Sequence, residues 1–418
     1  MSLLIRNARV LTLAEPAAPS GSTATRKNAP ARRGVAAMND LSVLPCADVF
    51  IEGAAIASVS GRSIDRKADR VIDAAGRVLM PGFVDCHTHA CWAGDRLDEW
   101  TKKLGGTPYL QILASGGGIM STVRAVRTAS QEELTSRLAT RLAIMAAEGT
   151  TTVEVKSGYG LATEHELKML RAIAGAHGHW PGTLVSTALL GHALDTSVPD
   201  FVGHTVYHTL PAVHDAFPSV AVDAYCEHGA WSLEESTLLL NNARSLGHPV
   251  RVHADQFNSL GMVPWAVRAG ARSVDHLEAT VPGDLELLAR SDTFGVMLPV
   301  CGFHVDDRYA NGRAFVDAGG MLCLASNCNP GSAPSSSMPL VVGLGVRKLG
   351  LTVSEAIIAT TRNPAILLDL PDRGTIQPGQ RADLVLLRHT DERQLAYEVG
   401  GNPVDATIIA GQPYHRSQ

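Results

Sequence analysis

The sequence predicts an α/β protein: a (β/α)8 TIM-type barrel with a small β-sandwich domain built from both chain termini. Three observations predict it. The chain has 418 residues, which suits one barrel of about 250 residues plus a smaller unit. Its middle alternates short apolar runs with amphipathic stretches. Its two ends alternate apolar and polar residues between Gly turns, the pattern of short strands.

At the N-terminus, residues 1–13 and 47–80 read "LLIRNARVLTL", "ADVFIEGAAIASVSG" and "RVIDAAGRVLMPG", strand-turn-strand patterns. Between them, residues 15–42 are rich in Ala, Pro, Ser and Arg and lack periodicity, so a mobile loop is expected, with Arg26, Lys27, Arg32 and Arg33 as a solvated basic cluster. The C-terminal runs "GTIQPGQRADLVLLR" and "DATIIAGQ" repeat the strand-turn-strand pattern. The expected division is therefore 1–78 and 369–418 for the small β domain and 79–368 for the barrel. Eight strands are expected in the middle: Phe83–His87, Thr151–Lys156, Thr183–Leu190, Ala221–Cys226, Pro249–His253, Arg272–Asp275, Phe294–Leu298 and Met321–Ala325. Helices lie between most of them. One is capped by Ser130 with Glu133 three residues on, another by Ser232 with Glu235 and a closing Gly247.

Bulk properties exclude several classes. Hydrophobic residues make up 45%, charged residues 18%, and the net charge is −5, as in an ordinary globular protein. No basic stripe interleaved with aromatics appears, so no nucleic-acid partner is expected. No apolar run approaches the ~18 residues of a membrane span, and the start reads as a strand without signal-peptide layout. The seven cysteines (Cys46, Cys86, Cys91, Cys226, Cys301, Cys323 and Cys328) are scattered without a CxxC pair. They are read as reduced thiols of a cytoplasmic protein.

In a (β/α)8 barrel, chemistry gathers at the C-terminal ends of the strands. Strand one leads into "DCHTHACWAG", where His87 and His89 are two residues apart and share a face of an extended chain. His192 follows strand three, His253 and Gln256 follow strand five, His276 follows strand six, and Asn327 follows strand eight. His87, His89 and His253 are the candidate metal ligands, and imidazole suits zinc or iron. A second pair at the same spacing, His177 and His179, follows a helix and belongs to the opposite end of the barrel. His248 falls at that end too, and His204 and His208 read as surface. Lys156 ends strand two, where its stem is expected in a structural network.

The stretches "PGFVDCHTHACWAGDRLDEW", "GGGIMSTVRAVRTAS", "GTTTVEVKSGYGL", "HADQ", "DHLE" and "NPGS" together resemble the imidazolonepropionases, within the metal-dependent amidohydrolase superfamily. The resemblance runs from about residue 79 to 411. It implies hydrolytic ring opening of 4-imidazolone-5-propanoate to N-formimidoyl-L-glutamate in histidine degradation. It implies one divalent metal, Zn or Fe, held by His87, His89, His253 and the position of Asn327. It implies substrate contacts from Arg96, Tyr159, His192, Gln256, Asn329, Gly331 and Ser332, and it implies a homodimer. His276, Gln256 and Asn327 are the expected catalytic residues, with His276 polarising the substrate carbonyl or moving a proton.

The sequence departs from the family at one ligand position: Asn327 stands where the resemblance implies Asp. An amide offers an oxygen to a metal but accepts no proton at useful pH. Glu227, Asp255 and His304 are the candidate replacement bases. Two rival readings follow. One is a related amidohydrolase acting on another cyclic amide or amidine. The other is a catalytically impaired binding homologue.

Overall fold

The computed structural model describes residues 1–14, 30–107 and 117–414. Five strands precede the barrel: β1 (Ser2–Leu11), β2 (Val43–Glu52), β3 (Ala55–Ser60), β4 (Arg70–Asp73) and β5 (Val78–Pro81). Three follow it: β14 (Leu384–Leu387), β15 (Val404–Ile409) and β16 (Gln412–Pro413). They form one mixed sheet in the order β16-β15-β14-β5-β1-β2-β3, with β4 beside β1. The two chain ends join where β14 pairs antiparallel with β5, Val385 opposite Met80. Inward residues Leu3, Ile5, Val10, Val49, Ile51, Leu384 and Ile408 give this sheet a core of its own.

Between these ends run eight parallel strands: β6 (Phe83–Asp85), β7 (Thr150–Lys156), β8 (Thr183–Gly191), β9 (Ala221–Cys226), β10 (Val250–Ala254), β11 (Ser273–His276), β12 (Phe294–Met297) and β13 (Leu322–Leu324). Each pairs with its chain neighbour, in the order β13 to β6, so the sheet curls into a nearly closed barrel. All eight expected strands are present. The seam between the first and last closes just beyond the strand ends. Asn327 N donates to His87 O at 3.0 Å, His89 N donates to Cys328 O at 3.0 Å, and Ser326 N donates to Asp85 Oδ1 at 3.1 Å.

Continuous burial on both faces explains why these strands read as apolar runs: all seven positions of β7 and all five of β10 are buried. Helices cover the outside. The helix Gln131–Ala147 starts with Ser130 accepting from Glu133 N, and Leu233–Ser245 starts with the full Ser232–Glu235 capping box.

The segment expected as one loop over 15–42 is ordered differently where it is described. Residues 34–38 form a short helix with Met38 fully buried. Arg32 N donates to Asn363 Oδ1 at 2.8 Å, and Arg33 donates to the carbonyls of Gly319, Ala289 and Ser291. Arg32 and Arg33 thus fasten the segment to the barrel, while Arg26 and Lys27 lie outside the described residues. The sequence lacked periodicity here because one turn of helix is too short to establish it.

Candidate metal centre

Three imidazoles meet at the open end of the barrel. The chain leaving β6 carries His87 and His89 on one face, both buried. His253 is the inward residue near the end of β10, two positions after Arg251. One nitrogen from each of the three lies within 4.8 Å of the others.

Carboxylates behind the rings fix which nitrogen faces the centre. Asp275 Oδ2 accepts from His87 Nδ1 at 2.5 Å, and Asp223 Oδ1 accepts from His253 Nδ1 at 3.1 Å. A carboxylate only accepts, so each Nδ1 carries the proton and each Nε2 keeps its lone pair; these tautomers are assigned from the bonding network. His87 Nε2 is buried with no partner among the described residues, and His253 Nε2 faces His89 Nε2 at 3.4 Å. Burial, aided by neighbouring cations, holds His87 and His89 well below the ordinary imidazole range and lowers His253, so the rings stay neutral. Neutral, converging, unpartnered lone pairs are what a divalent cation requires.

Asn327 adjoins this group through its backbone bond to His87. Its φ is 56°, a left-handed conformation that Asn tolerates better than most residues. Its Oδ1 is buried and unpartnered.

Beneath the imidazoles lies a layer of charge. Lys156 Nζ donates to Glu154 Oε1 at 2.8 Å and Asp223 Oδ2 at 2.9 Å, and it lies 3.9 Å from Asp275 Oδ2. Arg251 donates to Asp275 Oδ2 at 2.8 Å, Ser273 Oγ at 3.0 Å and Cys86 O at 2.9 Å. Burial and Arg251 oppose the Lys156 charge, yet Glu154, Asp223 and Asp275 outweigh them and hold the ammonium above its ordinary value. Lys156 is therefore a committed ion-pair partner. Sequence reasoning missed Asp223, Asp275, Arg251 and Tyr225. Asp223 and Tyr225 in "AVDAYC" already shared the two-residue spacing of one inward face.

The other expected residues line the same end. His192 Nδ1 donates to Gly158 O at 2.8 Å, leaving Nε2 as an acceptor; its ring stacks on His89 with centroids 5.1 Å apart. Gly158 has φ 107°, and a Cβ there would lie 2.9 Å from His192 Nδ1, so the "SGYG" turn requires glycine. Tyr159 packs 5.1 Å from His192, and burial pushes its phenol up to about 12, so it remains a donor. Gln256 accepts from Tyr225 OH at 2.8 Å and donates to Cys301 Sγ at 3.3 Å. His276 lies 5.6 Å from His253 between ring centroids, with Nδ1 at 3.2 Å from Glu278 Oε1. His276 and Leu277 both have positive φ, 91° and 75°, a strained exit from β11 of the kind found at working sites.

Asn329 organises the following turn: its Oδ1 accepts from Gly331 N at 2.8 Å and Ser332 N at 2.7 Å. Arg96 reaches this turn while its Nε donates to Thr122 Oγ1 at 3.0 Å. A Cβ at Gly331 would fall 2.6 Å from an Arg96 terminal nitrogen, so the glycine leaves room for the guanidinium against the turn.

The three candidate replacement bases have other surroundings. Glu227 accepts from His228 N, Phe257 N, Asn258 N and Asn258 Nδ2, which latches two loops together. Asp255 is buried beside Thr280 and Ser259, and burial raises its carboxyl. His304 lies on the helix Pro299–Val305 near Lys103. His177 and His179 form an exposed turn before β8, and His248 is buried against His214 and Val220 O.

Parallel barrel, terminal sheet and converging imidazoles define a metal-dependent amidohydrolase. A sequence profile described as "Amidohydrolase family" matches residues 70–108 and 101–415. The chain is 43% identical to an imidazolonepropionase of Herpetosiphon aurantiacus, over 84% of this chain and 85% of that one. It is 41% identical to that of Deinococcus radiodurans (90% and 94% covered) and 34% identical to that of Desulfotalea psychrophila (99% and 99%). The chain belongs to the imidazolonepropionase family. Among solved structures, an N-isopropylammelide isopropylaminohydrolase from Burkholderia multivorans superposes with a TM-score of 0.68 at 16% identity, covering 99% of this chain and 97% of that chain. A zinc-complexed atrazine chlorohydrolase from Arthrobacter aurescens gives 0.66 at 17% identity, covering 98% and 94%. These two share the fold. Among the described residues no helix is long and apolar enough to cross a membrane.

Proposed function

We propose that the chain hydrolyses 4-imidazolone-5-propanoate to N-formimidoyl-L-glutamate, a step of histidine degradation. Identity of 34–43% to imidazolonepropionases supports this reading. The observation that carries it is the close approach of the Arg96 guanidinium to the Asn329–Ser332 turn at Gly331. A planar guanidinium beside this turn suits a carboxylate tail, while the turn's own Gly331 and Ser332 N–H groups are held by Asn329 Oδ1.

His87, His89 and His253 would hold one divalent cation, zinc or iron, and the buried Asn327 amide oxygen is the further donor available to it. The cation supplies Lewis acidity toward the ring carbonyl and toward the attacking water. Tyr159 and His192 orient the ring, the phenol as donor and the imidazole Nε2 as acceptor. His276 stabilises the oxygen charge that develops on the carbonyl. The water's hydroxyl joins the carbonyl carbon, the ring C–N bond breaks, the water's other proton ends on the leaving amidine nitrogen, and the new carboxylic acid releases its proton to solvent. The carbonyl becomes the new carboxylate, and Gln256, held by Tyr225, lies beside the group that forms. The working unit is a homodimer; the helix Leu97–Leu104 supports this, because Leu97, Trp100 and Leu104 are exposed on it.

The test is metal analysis together with consumption of freshly generated imidazolonepropanoate. A metal-loaded protein that never consumes it overturns the reading. One observation favours a rival: Asn327 cannot accept a proton. If the chain binds the substrate without turnover, and Asn327→Asp creates the activity, it is a binding homologue. If the native chain turns over, Asn327→Asp raises kcat by about 10²-fold, the lower range for an added general base.

A further inference from the structure

Beside the three imidazoles lies a second group able to ligate. His276, Glu278 and Cys301 each place one donor atom within 4.8 Å of the other two. His276 and Cys301 are buried, and the Glu278 side chain is only 6% exposed. Three features distinguish this from chance proximity. Glu278 Oε2 is buried with no hydrogen-bond partner among the described residues. The His276 Nδ1 to Glu278 Oε1 separation of 3.2 Å matches the edge of about 3.3 Å between N and O ligands around zinc. Gln256 Nε2 donates to Cys301 Sγ at 3.3 Å, an arrangement that stabilises a thiolate.

We propose that His276, Glu278 and Cys301 form a second cation site, selective for a thiophilic divalent metal such as zinc or cadmium. Imidazole, carboxylate and thiolate make a three-ligand set that leaves a fourth position for water. For an N–S pair the zinc edge is about 3.6 Å, so the donors close by roughly an ångström at most on binding. As the Cys301 S–metal bond forms, the S–H bond breaks and its proton passes to solvent; the Nδ1–H of His276, which donates to Glu278, shifts to Nε2 so that Nδ1 can ligate. Burial pushes the free thiol up to about 12, so Cys301 stays protonated until a cation arrives, and occupancy rises with pH. A cation there engages His276. The site is therefore inhibitory, a consequence that rests on the catalytic role given to His276 above.

The test is titration of the metal-loaded protein with cadmium, read by the ultraviolet cadmium–thiolate absorption band and by turnover. The native chain is expected to bind one further equivalent with that band and to lose activity as it fills. Cys301→Ala is expected to lose the increment in absorption and to resist inhibition, and Glu278→Gln to bind cadmium at least tenfold more weakly. A native chain without the band, or a Cys301→Ala variant that keeps band and affinity, overturns the site. A filled site with undiminished turnover upholds the site and overturns the role given to His276, so the two failures are distinguishable.

Discussion

Two adjacent layers of the barrel treat polar atoms in opposite ways. In the lower one, Glu154, Lys156, Asp223, Arg251 and Asp275 are buried and every one is paired. In the upper one, His87 Nε2 and Asn327 Oδ1 are equally buried and have no partner among the described residues. An unpaired buried polar atom costs about 1–3 kcal/mol, a cost that a ligand completing it removes. Paired charge is scaffold; unpaired lone pairs are site. The layers also cooperate. Three carboxylates against two cations leave the lower layer with one net negative charge beneath the place where a cation binds.

This contrast is broken most severely from above. His89→Asn replaces a buried ring that bonds to no residue of the lower layer among the described residues, so the metal-free protein should lose no more than about 1–2 kcal/mol of stability. Metal content should fall and turnover should drop by at least about 10³-fold, because a cation held by fewer ligands no longer activates water. Metal analysis, rates and chemical denaturation measure all three. A metal-free variant destabilised by several kcal/mol would show that the upper layer is scaffold too.

Lys156→Met tests the lower layer. It leaves Glu154 and Asp223 without their ammonium in a fully buried setting, and the expected loss is about 3–5 kcal/mol of stability by urea unfolding. Here the fold suffers first and metal binding follows from it. A variant as stable as the native chain would remove the distinction between the layers.

Arg96→Ala lies outside both layers and sharpens the contrast by sparing each. Loss of a charge-assisted carboxylate contact of about 1.5–3 kcal/mol should raise KM roughly 10–10²-fold, with metal content unchanged. Unaltered KM would favour a substrate without a carboxylate tail. Arg96 is also where the sequence spoke least by itself. The eight strands and the His-rich rim were legible because burial on both faces writes a run of apolar residues and the rim writes histidine at strand ends. Arg96 owed its assignment to resemblance alone. The carboxylates Asp223 and Asp275 were illegible as supports. Their partners, His253 and His87, come from other strands, and nothing local in the chain announces a contact across 30 or 188 residues.

The smallest effect is expected where the motif repeats. His177 and His179 have the same two-residue spacing as His87 and His89. They form an exposed turn after the helix Thr163–Ala176, at the end of the barrel where β8 begins, while the other pair is buried where β6 ends. Spacing is equal; only the direction of the strand relative to the pair differs, and that direction decides which pair meets a third imidazole. His177→Ala should therefore leave metal content and turnover unchanged and shift stability by less than about 0.5 kcal/mol, the range for surface positions. Loss of bound metal in that variant would mean that spacing alone makes a ligand pair. The strand-end rule that located the centre would then have to be abandoned.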